Sequence, residues 1–113
     1  MTPVAEDERF RAGQVITIFR SRLRGVADDE YHETAAHMKE LAQAMPGFVD
    51  CKSFAADDGE RVTLVTFADD ASQRAWRTQV DHRAAQAAGR DRFYAGYSIQ
   101  VGECTRAHSF RAD

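Results

Sequence analysis

A single tryptophan, Trp76, and a histidine six residues beyond it, His82, are the side chains whose types most directly suggest chemistry. Histidine titrates near neutral pH, so His82 is a candidate general base, or a hydrogen-bond donor to a phenolate. The alternative for it is a helix-end cap or a solvated surface residue. Trp76 is either a ring contact for a ligand or a large hydrophobic plug, because tryptophan dominates burial wherever it sits. Arg20 and Arg22 share one face of a strand-like run whose other face carries Phe19 and Ser21. Their guanidinium groups either meet solvent or pair with an enolate, phenolate or carboxylate. Near the C-terminus Tyr94, Gly96, Ser98 and Gly102 fall at alternate positions, hence on one strand face. Small side chains there either admit a partner backbone or line a cavity. Tyr97, on the more apolar face, reads as core.

The remaining candidates carry less. His32 and His37 lie on opposite flanks of a helical stretch, each roughly 100–120° from its apolar stripe, so they cannot ligate one metal together. Glu33 pairs with His37 at a spacing of four, and His108 lies in a polar tail. Cys51 and Cys104 are too few for a disulfide framework and lack metal spacing. The sequence has no glycine-rich phosphate loop, dinucleotide fingerprint or Ser-His-Asp signature. No metal, flavin or nicotinamide is implied.

The elements that must position these residues belong to one domain of 113 residues, 43% hydrophobic and 29% charged. Fifteen Lys and Arg against 18 Asp and Glu give a net charge of −3, which argues against nucleic acid or an anionic membrane as the partner. No apolar run approaches the ~20 residues of a membrane span, and the first 25 residues lack a signal-peptide core. The expectation is a cytoplasmic globular domain over residues 14–104, with a flexible N-terminal arm (1–13) and a C-terminal tail (105–113).

Within that domain Gln14–Leu23 is a β-branched run, apolar on both parities, and reads as an internal strand. Asp28 caps a helix whose stripe is Tyr31, Ala35, Met38, Ala42 and Met45, stopped by Pro46-Gly47. Phe48–Ala55 and Arg61–Phe67 form a hairpin across an Asp-Gly turn. Asp69 or Asp70 caps a second helix, with Gln73 three residues after Asp70 in a capping-box arrangement. That helix should break at residues 80–82, resume as Arg83–Ala88 and end at Gly89. Phe93–Val101 is the last strand. The order β-α-β-β-α-β predicts an α+β, ferredoxin-like fold with a four-stranded antiparallel sheet. Helices cover one sheet face only, so the open face predicts a homodimer.

The element order, Pro46-Gly47-Phe48, the Asp58-Gly59-Glu60-Arg61 hairpin, Ala75-Trp76-Arg77, His82-Arg83-Ala84-Ala85 and Gly89 to Tyr94 together resemble the antibiotic biosynthesis monooxygenase family over residues 14–103. The resemblance implies a dimeric α/β barrel with a pocket between helices and sheet in each protomer. It also implies a cofactor-independent monooxygenase acting with dioxygen on a small electron-rich aromatic substrate such as a phenol, quinol or anthrone. In that reading His82 is the base or proton shuttle. Trp76, Tyr94 and Phe19 contact the ring, Ser21 or Arg22 steadies the oxyanion, and Ser98 lines the substrate site. The family's haem-degrading branch has an Asn where this chain has Ser21 and its ligating His where this chain has Gln86. A neutral amide is a poor iron ligand, so haem is implied only if His82 takes over that role. A dimeric ligand-binding or stress-associated protein without catalysis is the other reading of the same fold.

Overall fold

Four strand-forming runs pair into one antiparallel sheet in the computed structural model, which describes residues 9–25, 28–79, 83–84, 87 and 92–112. The elements are β1 (Val15–Leu23), α1 (Asp29–Ala44), β2 (Phe48–Ala55), β3 (Arg61–Phe67), α2 (Asp70–Arg77) and β4 (Tyr94–Glu103), and the sheet order is β2-β3-β1-β4. This is the ferredoxin-like β-α-β-β-α-β fold predicted above. The two β-branched runs, β1 and β3, lie at the centre, and the more polar β2 and β4 form the edges. Past the end of β1 and β4 the Gly13 N–H donates to the Cys104 carbonyl (2.8 Å). Arg9 meets Asp50 at 3.3 Å, which fastens residues 9–13 to the sheet.

Both helices start as their capping residues dictate. Asp28 Oδ1 accepts from the Tyr31 N–H (2.8 Å), and Asp69 Oδ1 accepts from the Ser72 N–H (2.8 Å). The Ser72 bonds also hold the Asp69 carboxyl below the usual carboxylate range. The expected capping box at Asp70 does not form. Gln73 is 1% exposed and turns into the protein, because at three residues before Trp76 it shares that residue's inward face. Pro46-Gly47 ends the α1 connection, and Gly47 is irreplaceable there: its φ is +85°, and a Cβ would come within 2.7 Å of Ser72 Cβ. The helix α2 closes at Thr78, whose hydroxyl donates to the Arg74 carbonyl (2.9 Å). The break expected at residues 80–82 lies outside the described residues, as does most of the expected Arg83–Ala88 helix, of which 83, 84 and 87 are helical.

The core lies between the helices and one sheet face. Ala42 of α1, Val65 and Phe67 of β3 and Trp76 of α2 are buried together, with Met38, Met45, Phe48 and Cys51 packed around them. Burying side chains of this size stabilises by roughly 1.5–3 kcal/mol each. On the opposite face Ile18 pairs with Leu64, and Phe54, opposite Val62, is 48% exposed. Among the described residues no helix is long and apolar enough to cross a membrane.

One sequence expectation is corrected by a bulge. Arg22 pairs with Gly96 but Leu23 pairs with Tyr94, so the register shifts by one residue at Ala95. Strict alternation places Tyr94 on the face of Gly96 and Ser98. The extra residue turns it to the other face, where its ring lies 5.8 Å from Tyr97.

Candidate functional site

Alternation along β1 sends Thr17, Phe19 and Ser21 to the helical face, where they floor a cavity of about 620 Å³ roofed by α1 and α2. At its inner end the wall is the core itself. Trp76 is 6% exposed, packs at 5.4 Å against Phe67, and also borders the cavity. Trp76 is thus both a core plug and part of the cavity wall. Above Thr17 the buried Gln73 amide donates from Nε2 to Thr17 Oγ1 (3.1 Å), while its Oε1 has no partner among the described residues. Whichever way the amide is turned, one end meets the hydroxyl and the other is left over. A buried amide atom without a partner costs about 1–3 kcal/mol, and both residues border the cavity.

The outer end is aromatic. Phe19 stands 5.4 Å from Tyr94 and 5.3 Å from Tyr97, and Tyr31 of α1 stands 5.7 Å from Phe93. Two of these contacts are near edge-on and the Phe19–Tyr97 pair is tilted, and together they build an aromatic wall to the cavity. Burial, with Tyr31 beside it, pushes the Tyr94 phenol up to about 12, so it holds its proton at neutral pH and acts as a donor, not a base. At the mouth Arg61 donates from Nη1 to the Tyr31 hydroxyl (3.2 Å) and lies over its ring at 5.6 Å. Burial also raises the Cys51 thiol, leaving it a neutral lining group.

The residues singled out from sequence separate. Trp76, Ser21, Phe19 and Tyr94 come together in this cavity. Arg22 and Ser98 belong to the opposite sheet face and are absent from the lining. Arg22 instead grips Asp58, at 2.9 Å to its carbonyl and 2.7 Å to Oδ2; the Glu60 N–H, and after it Arg22, hold that carboxyl below its usual range. Arg20 is likewise bound to Glu60 (2.7 Å), and this charge-assisted bond raises its own pKa. Both arginines fasten the hairpin turn. His82 and Gln86 lie outside the described residues. Sequence reasoning missed Gln73 and Arg61. Their signals are positional: Gln73 is one helical turn before Trp76, and Arg61 shares parity with Thr63 and Val65. Among the described residues no group of three or more His, Cys, Asp or Glu is placed to hold a metal.

Comparison with known proteins agrees with this architecture. The family model described as antibiotic biosynthesis monooxygenase matches residues 14–88. An uncharacterized protein of Bacillus subtilis, YqjZ, is 31% identical over 91 residues, 80% of each chain. Among solved structures, SnoaB from Streptomyces nogalater, a cofactor-independent oxygenase seen as a mutant, superposes with a TM-score of 0.74 at 17% identity, over 85% of this chain and 97% of that one. Rv0793 from Mycobacterium tuberculosis gives 0.73 at 16% identity, over 85% and 99%. At these identities the structural likeness is one of fold. The match of the family model over two thirds of the sequence establishes the lineage: the chain belongs to the antibiotic biosynthesis monooxygenase family.

Proposed function

We propose that the protein is a cofactor-independent monooxygenase that oxidises an electron-rich aromatic, a phenol, quinol or anthrone, with dioxygen. The observation that carries this reading is a ring-walled cavity whose inner end holds a buried, half-satisfied Gln73–Thr17 pair. A planar substrate has its edges gripped between Trp76 and the Tyr94–Tyr97 wall, with an oxygen function at Gln73. His82 takes the proton from the substrate. The resulting anion passes one electron to dioxygen, and the delocalised substrate radical and superoxide join through a new C–O bond. The peroxide regains a proton, its O–O bond breaks, and loss of water leaves a carbonyl on the oxygenated carbon. Tyr94, fixed in its protonated form, and Ser21 are two of the lining's donors to developing negative charge.

A binding protein without catalysis is favoured by one observation: the titratable group of the lining whose pKa is most displaced, Tyr94, is moved away from neutrality. Haem fits the described lining poorly. Its histidine, His32, is exposed on the first turn of α1 with its ring edge-on to Tyr31 at 5.4 Å, so no described residue offers a buried imidazole. We further propose that a second copy covers the open sheet face, giving the dimeric barrel. Oxygen uptake with a panel of anthrones and quinols, without added cofactor, separates the oxygenase from the binding protein.

A further inference from the structure

Every charged side chain of the described cavity lining is cationic: Lys39, Lys52, Arg61 and Arg77, with no aspartate or glutamate among them. The chain as a whole carries −3. A positive cavity in an acidic protein is a property of the site and not of the composition. Arg61 is not among the arginines whose charge is taken up by a carboxylate. Arg9, Arg20, Arg22, Arg74 and Arg92 are each joined to a carboxylate, respectively Asp50, Glu60, Asp58, Asp70 and Glu30. Arg61 has no carboxylate partner among the described residues, although Glu60 is its neighbour in sequence. Alternation explains this: Glu60 is turned to the other side and taken by Arg20, while Arg61 faces the cavity with Thr63 and Val65. Its bond to the Tyr31 hydroxyl uses one of five guanidinium N–H donors and supplies no charge. A half-buried guanidinium without a counter-charge carries a desolvation cost that an incoming anion relieves.

We propose that Arg61 is the specificity residue of this cavity and that the ligand is an aromatic bearing an anionic oxygen group, a carboxylate or an ionised phenol, held by the Arg61 fork. This deepens the oxygenase reading by naming the substrate class, and rests on that reading only in taking this cavity as the substrate site. The geometry also sets the length of the guest. Ser21 opposes Arg61, and Thr17, four residues back along β1, lies under Gln73. Four strand residues span about 13 Å. The ligand thus places its anionic group at the mouth and a neutral carbonyl or hydroxyl at Gln73, with its rings between.

The test is calorimetric binding of 2-naphthoate and its neutral isostere 2-naphthamide to the full chain, with quenching of the lone Trp76 to locate both in the cavity. The wild type should bind the carboxylate at least about tenfold more tightly, a preference that shrinks with added salt. Arg61→Gln should abolish the preference while 2-naphthamide binds as before, which also shows that the cavity is still formed. Arg61→Lys should restore part of it, since it keeps the charge and loses the fork. Arg22→Gln, on the other face, should leave it intact. Equal affinity for the two probes, no binding of 2-naphthoate, or a preference that survives in Arg61→Gln overturns the proposal. No turnover is measured, so failure of the oxygenase reading leaves this result readable, and the reverse holds too.

Discussion

At the residue scale two side chains carry the account, and neither behaves as an isolated residue would. Gln73 stays in a core at the cost of an amide atom unpaired among the described residues. Replacing it by a methionine of similar shape removes the orphaned Oε1 but leaves the Thr17 hydroxyl without this bond, so Gln73→Met should change the melting temperature little, while turnover on a confirmed substrate falls about tenfold. Equal loss of stability and activity would make Gln73 a packing residue only. Tyr94 makes a pH prediction whose sign follows from proton binding. Its folded pKa, about 12, lies above the ordinary 10.0, so between these values the native state holds more protons than the unfolded chain. This contribution to stability is fully present below pH 10 and is lost as pH rises from 10 towards 12. Denaturant midpoints across that range should fall less steeply in Tyr94→Phe than in the wild type; parallel slopes would contradict it. Trp76 and Ser21 could be picked out as site residues because their types and parity are written in the chain. For Gln73 and Arg61 the spacing gives the face and no more, since what marks them is a missing partner, and partners exist only in three dimensions.

At the scale of elements the sequence is informative wherever one local rule governs. Asp28 and Asp69 cap their helices, Asp-Gly turns the β2–β3 hairpin with Gly59 at φ +90°, and the apolar runs of β1 and β3 take the centre of the sheet. It misleads at β4, where parity assigns Tyr94 to the face of small residues. A bulge depends on how two strands meet and not on either alone, so no period in residues 93–101 announces it. The arginines of β1 fail for a related reason: the hairpin turn that neutralises Arg20 and Arg22 is remote in sequence, at Asp58 and Glu60. The open face of the sheet carries Ile18 and Leu64, and should bury them against a second copy. Sedimentation equilibrium should give twice the chain mass at micromolar concentration, and Leu64→Asp should give the monomer. A monomeric wild type would contradict the paired sheet.

For the whole molecule, a sheet with helices on one side encloses a cavity about 620 Å³ in volume whose far wall is also its core. Stability and function are therefore not separable at Trp76, where truncation should cost the 3–5 kcal/mol typical of a buried aromatic as well as the ring contact. The chemistry is better tested at His82. The measurement that bears most directly on the central claim is oxygen uptake by the purified protein with anthrones and quinols, with isotopically labelled dioxygen traced into the product. Uptake should depend on the protein without added cofactor, place one labelled oxygen atom in the product, and fall at least about a hundredfold in His82→Ala. Absence of uptake across the panel, or unchanged turnover in His82→Ala, would contradict it.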